Sequence, residues 1–358
     1  MNMASDLAVS DTALAVSVLD LVGMKTNERP GPAIARSVDL AQHAEQWGYS
    51  RFWLAEHHSI QGLACSATAV LIGHVAGATQ TIRVGSGGIM LPNHAPLVVA
   101  EQFGTLAAMY PGRIDLGLGR APGSDFATMR ALRRDLAQTG DDFPELVEEL
   151  IGYLGPERPG QLVKAIPGQN SNVPITLLGS SGFSARLAAR LGLPFAFAAH
   201  FAPDYLYAAA ELYHSAFQPQ IQSGPALAHP YMMVAVQIIA AETDAIAQRL
   251  FTTPQQRFLR LIRNQPVELL PPVDSMDNQW SERERTAVLS KLGAAIVGSP
   301  ATVKAGMEKL VRDTGARELI VVTDTYSHDD RLESYRRVAE IARTVEFAPA
   351  AQFSQAAL

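Results

Sequence analysis

Apolar residues along this chain fall into short continuous runs, separated by longer stretches in which they recur every three or four positions. The runs at 13–22, 50–55, 81–86, 113–119, 173–178, 194–199, 231–240 and 318–323 have the length and composition of buried strands. Helical periodicity opens at Pro32 and stops at Gly48, and it returns at 66–78, 96–109, 144–154, 183–191, after Pro203, and at 243–251, 301–314 and 331–344. Such alternation predicts a parallel sheet with right-handed crossovers, and eight strand–helix units close into a (β/α)8 TIM barrel. A doubly wound open sheet is the alternative architecture.

Two stretches interrupt the rhythm. The pattern loosens past Gly119 through 130–143 and, after the helix at 144–154, gives way to a Pro- and Gly-rich loop at 155–172, and residues 263–291 lack clear periodicity and carry Pro266, Pro271 and Pro272. The second stretch reads as a mobile lid or a disordered insertion. A strand still follows it, so it is not an interdomain linker. The expected organisation is a flexible tail at 1–12, one barrel over 13–345 with insertions near 120–172 and 263–291, and a C-terminal tail at 346–358.

Composition narrows the function. With 47% hydrophobic and 18% charged residues the chain can fill a large core, which excludes disorder. A net charge of −6 without a basic cluster argues against a nucleic-acid partner. The single cysteine, Cys65, rules out an intramolecular disulfide and a thiolate zinc site. No apolar stretch approaches the roughly 20 residues that cross a bilayer, and residues 1–12 lack the pattern of a signal peptide. A cytoplasmic protein with no membrane partner is expected.

In a barrel of this type the reactive groups follow the strands. After the second strand stands Ala55-Glu56-His57-His58, where side-chain alternation lets one of the two histidines point into the barrel mouth. The spacing does not chelate zinc as His-Glu-x-x-His does on a helix, and no metal is expected. The bland alternative is a pair of strand-end histidines bonded to loop backbone. After the third strand, Gly85-Ser86-Gly87-Gly88 offers either bare backbone for a flat ligand or an ordinary turn. Gly117-Leu118-Gly119-Arg120 fits the dinucleotide fingerprint poorly, because Pro122-Gly123 stands where a helix should start. Arg120 is placed to meet a phosphate or carboxylate, or to form a surface ion pair. Gly179-Ser180-Ser181-Gly182-Phe183-Ser184 leads into a helix, where Ser181 and Ser184 could bind an anion or cap the helix.

Taken together, Trp53-Leu54-Ala55-Glu56-His57-His58, Val84-Gly85-Ser86-Gly87-Gly88-Ile89-Met90-Leu91-Pro92 and Gly117-Leu118-Gly119-Arg120 resemble the bacterial-luciferase-like family of flavin-dependent monooxygenases over about residues 15–340. The resemblance implies reduced FMN as cofactor, its ring against a non-proline cis peptide at Gly87-Gly88. It implies a flavin phosphate held by Arg120, Ser181 and Ser184, and His57 as base or hydrogen-bond donor near the reacting oxygen. The implied reaction is oxygenation of a small organic substrate such as an aldehyde or ketone by O2, through a flavin C4a-peroxide that residues 263–291 would shield from water. A separate flavin reductase and a homodimer built on the Ala-rich helix at 66–78 and the helix at 96–109 are further implications. The family's second phosphate-binding arginine has no match here, with Arg130, Arg133 and Arg134 as substitutes, and its light-emitting cysteine matches Gly119. The deazaflavin F420, with Lys25 or Arg29 near its acidic tail, is the second cofactor reading, and a non-catalytic flavin-binding protein the third.

Overall fold

The computed structural model describes residues 14–120, 126–132, 142–219 and 227–346. The predicted apolar runs become β1 (Ala15–Asp20), β2 (Arg51–Leu54), β3 (Arg83–Met90), β4 (Ile114–Gly119), β5 (Ile175–Gly179), β6 (Phe195–Ala198) and β7 (Met232–Ala240). A short β8 (Ile296–Gly298) precedes β9 (Glu318–Val322). Strands β1 to β7 pair in sequence order, β9 bridges β7 and β1, and every pairing is parallel, so eight strands close the predicted barrel. The ninth strand was not expected. Residues 233–237 of β7 pair with β9, whereas residues 238–240 leave the barrel wall and pair with β8.

The outer layer is α1 (Pro30–Trp47), α2 (Thr68–Ala78), α3 (Pro96–Met109), α4 (Phe126–Ala131), α5 (Phe143–Leu154), α6 (Gly182–Leu191), α7 (Leu206–Ala216), α8 (Asp244–Ile262), α9 (Glu282–Lys291), α10 (Pro300–Thr314) and α11 (His328–Ala342). Gly48 ends α1 as its sequence implies, in the left-handed conformation (φ 84°). The predicted helix at 243–251 is too short: α8 continues through Pro254, because its buried face, including Phe251 and Leu259, holds it against the wall.

Apolar side chains gather in two cores. The larger fills the barrel and its helix interface, with Phe52, Trp53, Phe103, Phe195 and Phe197 fully buried. The smaller joins Ile239 of β7, Leu250 and Phe251 of α8, Met276, and Val288 of α9. The insertion expected at 263–291 is folded into a wall. Helix α9 starts on a reciprocal cap between Ser281 and Glu284. The loop before it is stitched to the loops after β1 and β2: Val267 N–H donates to Gln61 O at 2.8 Å, and Leu269 N–H to Met24 O at 2.8 Å. At Gly62 (φ 108°) a Cβ would stand 2.5 Å from the Glu268 nitrogen, so only glycine permits this contact.

Candidate active site

The inward-facing side chains climb each strand in steps of two. On β1 the steps are Leu19 and Leu21, from β2 onward Trp53, Ala55 and His57, and from β6 onward Ala196, Ala198 and His200. They line a cavity of about 290 Å³ at the C-terminal mouth of the barrel. A second, more apolar chamber of about 290 Å³ adjoins it and shares Leu21, His57, His200 and Phe201. Its far side is built by Phe258, Leu261 and Ile262 of α8 and by Val267 of the stitched loop. This outer chamber was not anticipated from sequence.

Of the predicted site residues, His57, Gly87, Arg120, Ser181 and Ser184 all border the inner cavity. The Gly87–Gly88 peptide is cis. A Cβ on Gly87 would meet Leu19 Cδ1 at 2.8 Å and Trp53 Cε3 at 3.1 Å, so the backbone lies close on the barrel floor. Gly88 is not among the bordering residues and turns to β4, where a Cβ would come 2.7 Å from Gly117 O. Arg120 stacks its guanidinium on the Phe183 ring at 4.3 Å from the centroid. Ser181 is the N-cap of α6, yet its side chain makes no capping bond, leaving the hydroxyl available at the helix N-terminus. Ser184 lies buried beneath Gly179. Arg130 is exposed on α4 and does not border the cavity, whereas Arg133 and Arg134 lie outside the described residues. Neither Lys25, which sits over the Tyr326 ring, nor Arg29 borders either chamber.

The two adjacent histidines part as alternation requires. His57 faces the cavities, and burial, reinforced by the positive charge of Arg257, pushes its imidazole down to about 4. It is therefore neutral at pH 7, with an Nδ1 that meets no partner. His58 turns the other way and donates to Glu56 at 2.8 Å, as does His94 at 2.9 Å. Burial raises the Glu56 carboxyl, but the hydrogen bonds from His94, His58 and the Met90 N–H outweigh it and hold it below the usual range. These three side chains bring ligand-type atoms within 4.8 Å of one another. Their mutual hydrogen bonds account for that clustering and pin the loop after β3.

Sequence reasoning missed four groups. His200 faces His57 across the shared wall, and burial pushes it down to about 4. Gln237, buried on β7, leaves its Nε2 without a partner. Arg257 of α8 pairs with Asp324 at 2.7 Å. His200 and Gln237 were legible in principle, since each continues the two-residue stepping of its strand. Arg257 and Asp324 meet only through the path of α8 and carry no local signal.

Among the described residues no helix is long and apolar enough to cross a membrane. The family model for luciferase-like monooxygenases matches residues 14–318. The chain is 54% identical over 332 residues to the protein YvbT of Bacillus subtilis, covering 92% of this chain and 97% of that one. It is 47% identical over 333 residues to a luciferase-like monooxygenase of Escherichia coli K12, covering 93% and 98%. Among solved structures, apo-MsnO8 superposes with a TM-score of 0.80 at 36% identity, covering 94% of this chain and 99% of that one. Two more distant structures share the fold: the FMN-bound oxygenating constituent of 3,6-diketocamphane monooxygenase (17% identity, TM-score 0.70, covering 94% and 99%) and an F420-dependent secondary alcohol dehydrogenase (13%, 0.64, covering 92% and 99%). With barrel, mouth cavity and sequence in agreement, the chain belongs to the luciferase-like monooxygenase family.

Proposed function

We propose that this protein is an FMN-dependent monooxygenase that uses reduced FMN and O2 to oxygenate a small organic substrate such as an aldehyde or ketone. The supporting observation is the lining of the inner cavity, which combines Arg120, Ser181 and the α6 N-terminus, groups suited to an anion, with the bare backbone of Gly87. Such a cavity fits a ligand with a phosphate at one end and a flat ring at the other. Arg120, Ser181 and Ser184 would hold the phosphate, and Gly87-Gly88 the ring. Bound FMN supplies electrons to O2 and the oxygen-transfer chemistry. The chain supplies the setting. Neutral His57 accepts or donates a proton at its free Nδ1, and the apolar walls of both chambers exclude water from the reacting atoms.

F420 is the competing cofactor, and the F420-dependent relatives of the fold favour keeping it in the test. The position of Lys25 and Arg29 away from both chambers supports FMN, which lacks the acidic tail those residues would serve. Exposed Val70 on α2 with Val98 and Met109 on α3 supports a homodimer through that face, and a separate reductase would deliver reduced flavin. Anaerobic titration with reduced FMN and with F420 tests the cofactor. Arg120→Ala should weaken FMN binding about 10- to 100-fold, the value of a charge-assisted hydrogen bond. An unchanged affinity would remove Arg120 from the phosphate site. Oxygen uptake with reduced FMN and a panel of aldehydes separates the monooxygenase from a flavin-binding protein without catalysis.

A further inference from the structure

Gln237 stands on β7 one inward step beyond Ala235, and this step carries it from the inner cavity to the outer chamber. The residue is 2% exposed, and its Nε2 has no hydrogen-bond acceptor. A buried donor left unmet is costly, and a bound acceptor removes that cost. The surrounding wall is apolar, with Leu63, Phe258, Val267 and Val322 in contact with the chamber. Its charged pair, buried Arg257 and half-buried Asp324, stands at 2.7 Å and is neutral as a unit, although Arg257 Nη1 makes no well-aligned hydrogen bond there. Lys291 borders the chamber from the exposed edge, where water screens it. A carboxylate or ammonium entering here would lose its hydration without a free buried counter-charge.

We propose that the outer chamber binds an uncharged, mainly apolar molecule carrying a hydrogen-bond acceptor, a carbonyl above all, which takes the Gln237 Nε2 proton, so that Gln237 sets substrate class and orientation. The proposal rests on the monooxygenase reading for calling this molecule the substrate, while the binding preference itself follows from the chamber. His57 and His200, at the wall between the two chambers, stand nearer the cofactor site than Gln237, which borders the outer chamber alone. The amide is therefore a positioning and specificity group.

The test is calorimetric titration of the full chain, saturated with oxidised FMN, with 2-octanone, octanoate and octylamine. The ketone should bind at least tenfold more tightly than either ion, a comparison that needs no substitution. Gln237→Leu should weaken 2-octanone about three- to tenfold. Gln237→Glu, of the same shape but unable to donate when ionised, should weaken it as well. Flavin affinity, followed by FMN fluorescence, should stay the same in both variants. Octanoate binding more tightly than 2-octanone, or ketone affinity unmoved in both variants, overturns the proposal. Should FMN fail to bind while ketone affinity still depends on Gln237, the flavin reading falls and the chamber preference stands. Tight FMN binding with no ketone preference keeps the flavin reading and overturns the chamber preference.

Discussion

The two ends of the barrel differ in how their buried charged and ring or amide side chains are met. At the N-terminal end, Arg51 bridges Glu318 at 2.8 Å and Asp115 at 3.0 Å, Arg83 holds the other oxygen of Asp115, and Tyr231 and Ser17 donate to Glu318. The charged side chains there are mutually satisfied, and the network ties β1, β2, β3, β4 and β9 together. At the C-terminal mouth, His57 Nδ1, His200 Nδ1 and Gln237 Nε2 are buried and unmet, and Arg257 Nη1, though beside Asp324, makes no well-aligned hydrogen bond. A fold that satisfies charges so fully at one end and leaves donors and acceptors open at the other has placed its vacant bonding capacity where a ligand belongs.

Breaking the satisfied end should give the largest effect. Arg51→Met strips Glu318 of its cation and should lower unfolding free energy by about 3–5 kcal/mol in urea titration, with FMN affinity of the folded fraction unchanged. Adding Glu318→Gln should restore much of the loss; no recovery would show that Arg51 acts through packing alone. The open end should respond to acid. His57 and His200 titrate near 4 when folded and near 6.5 when unfolded, so the unfolded chain takes up protons first as pH falls. Stability should be flat above pH 6.5 and drop towards pH 4 by on the order of 3 kcal/mol for each of the two histidines. His57→Asn should flatten that slope, and an unaltered slope would mean that His57 stays neutral for no energetic reason. The smallest effect is expected at the cavity floor. Gly87→Ala pushes a methyl towards Leu19 and Trp53, costing about 1–2 kcal/mol and reducing FMN affinity several-fold, as stopped-flow binding would register.

The barrel was legible because a strand buried on both faces writes itself as an unbroken apolar run, as at residues 173–178 and 318–323. Strand β8 was not, because three residues of a strand look the same as a helix cap or a loop, and only the overhang of β7 gives it a partner. Helix α9 escaped because its sequence is polar on nearly every face, with Val288 alone buried. Its signal was nevertheless present: Ser281 and Glu284 have the spacing of a capping box. In the site, alternation required His57 and His58 to part, and the family resemblance named His57 and Gly87-Gly88. What stayed hidden is the outer chamber. It is assembled from α8 and a proline-rich loop more than two hundred positions after β2, and adjacency of that kind leaves no periodic trace.

The second core has its own consequence. Because Ile239, Leu250, Phe251, Met276 and Val288 pack among themselves, the wall facing the outer chamber is a cassette with its own foundation. Exchanging Leu261 or Ile262 on its inner surface should leave the register of the barrel and the floor of the inner cavity in place. A lineage, or an engineer, can retune what the mouth accepts by rewriting one contiguous stretch of the gene.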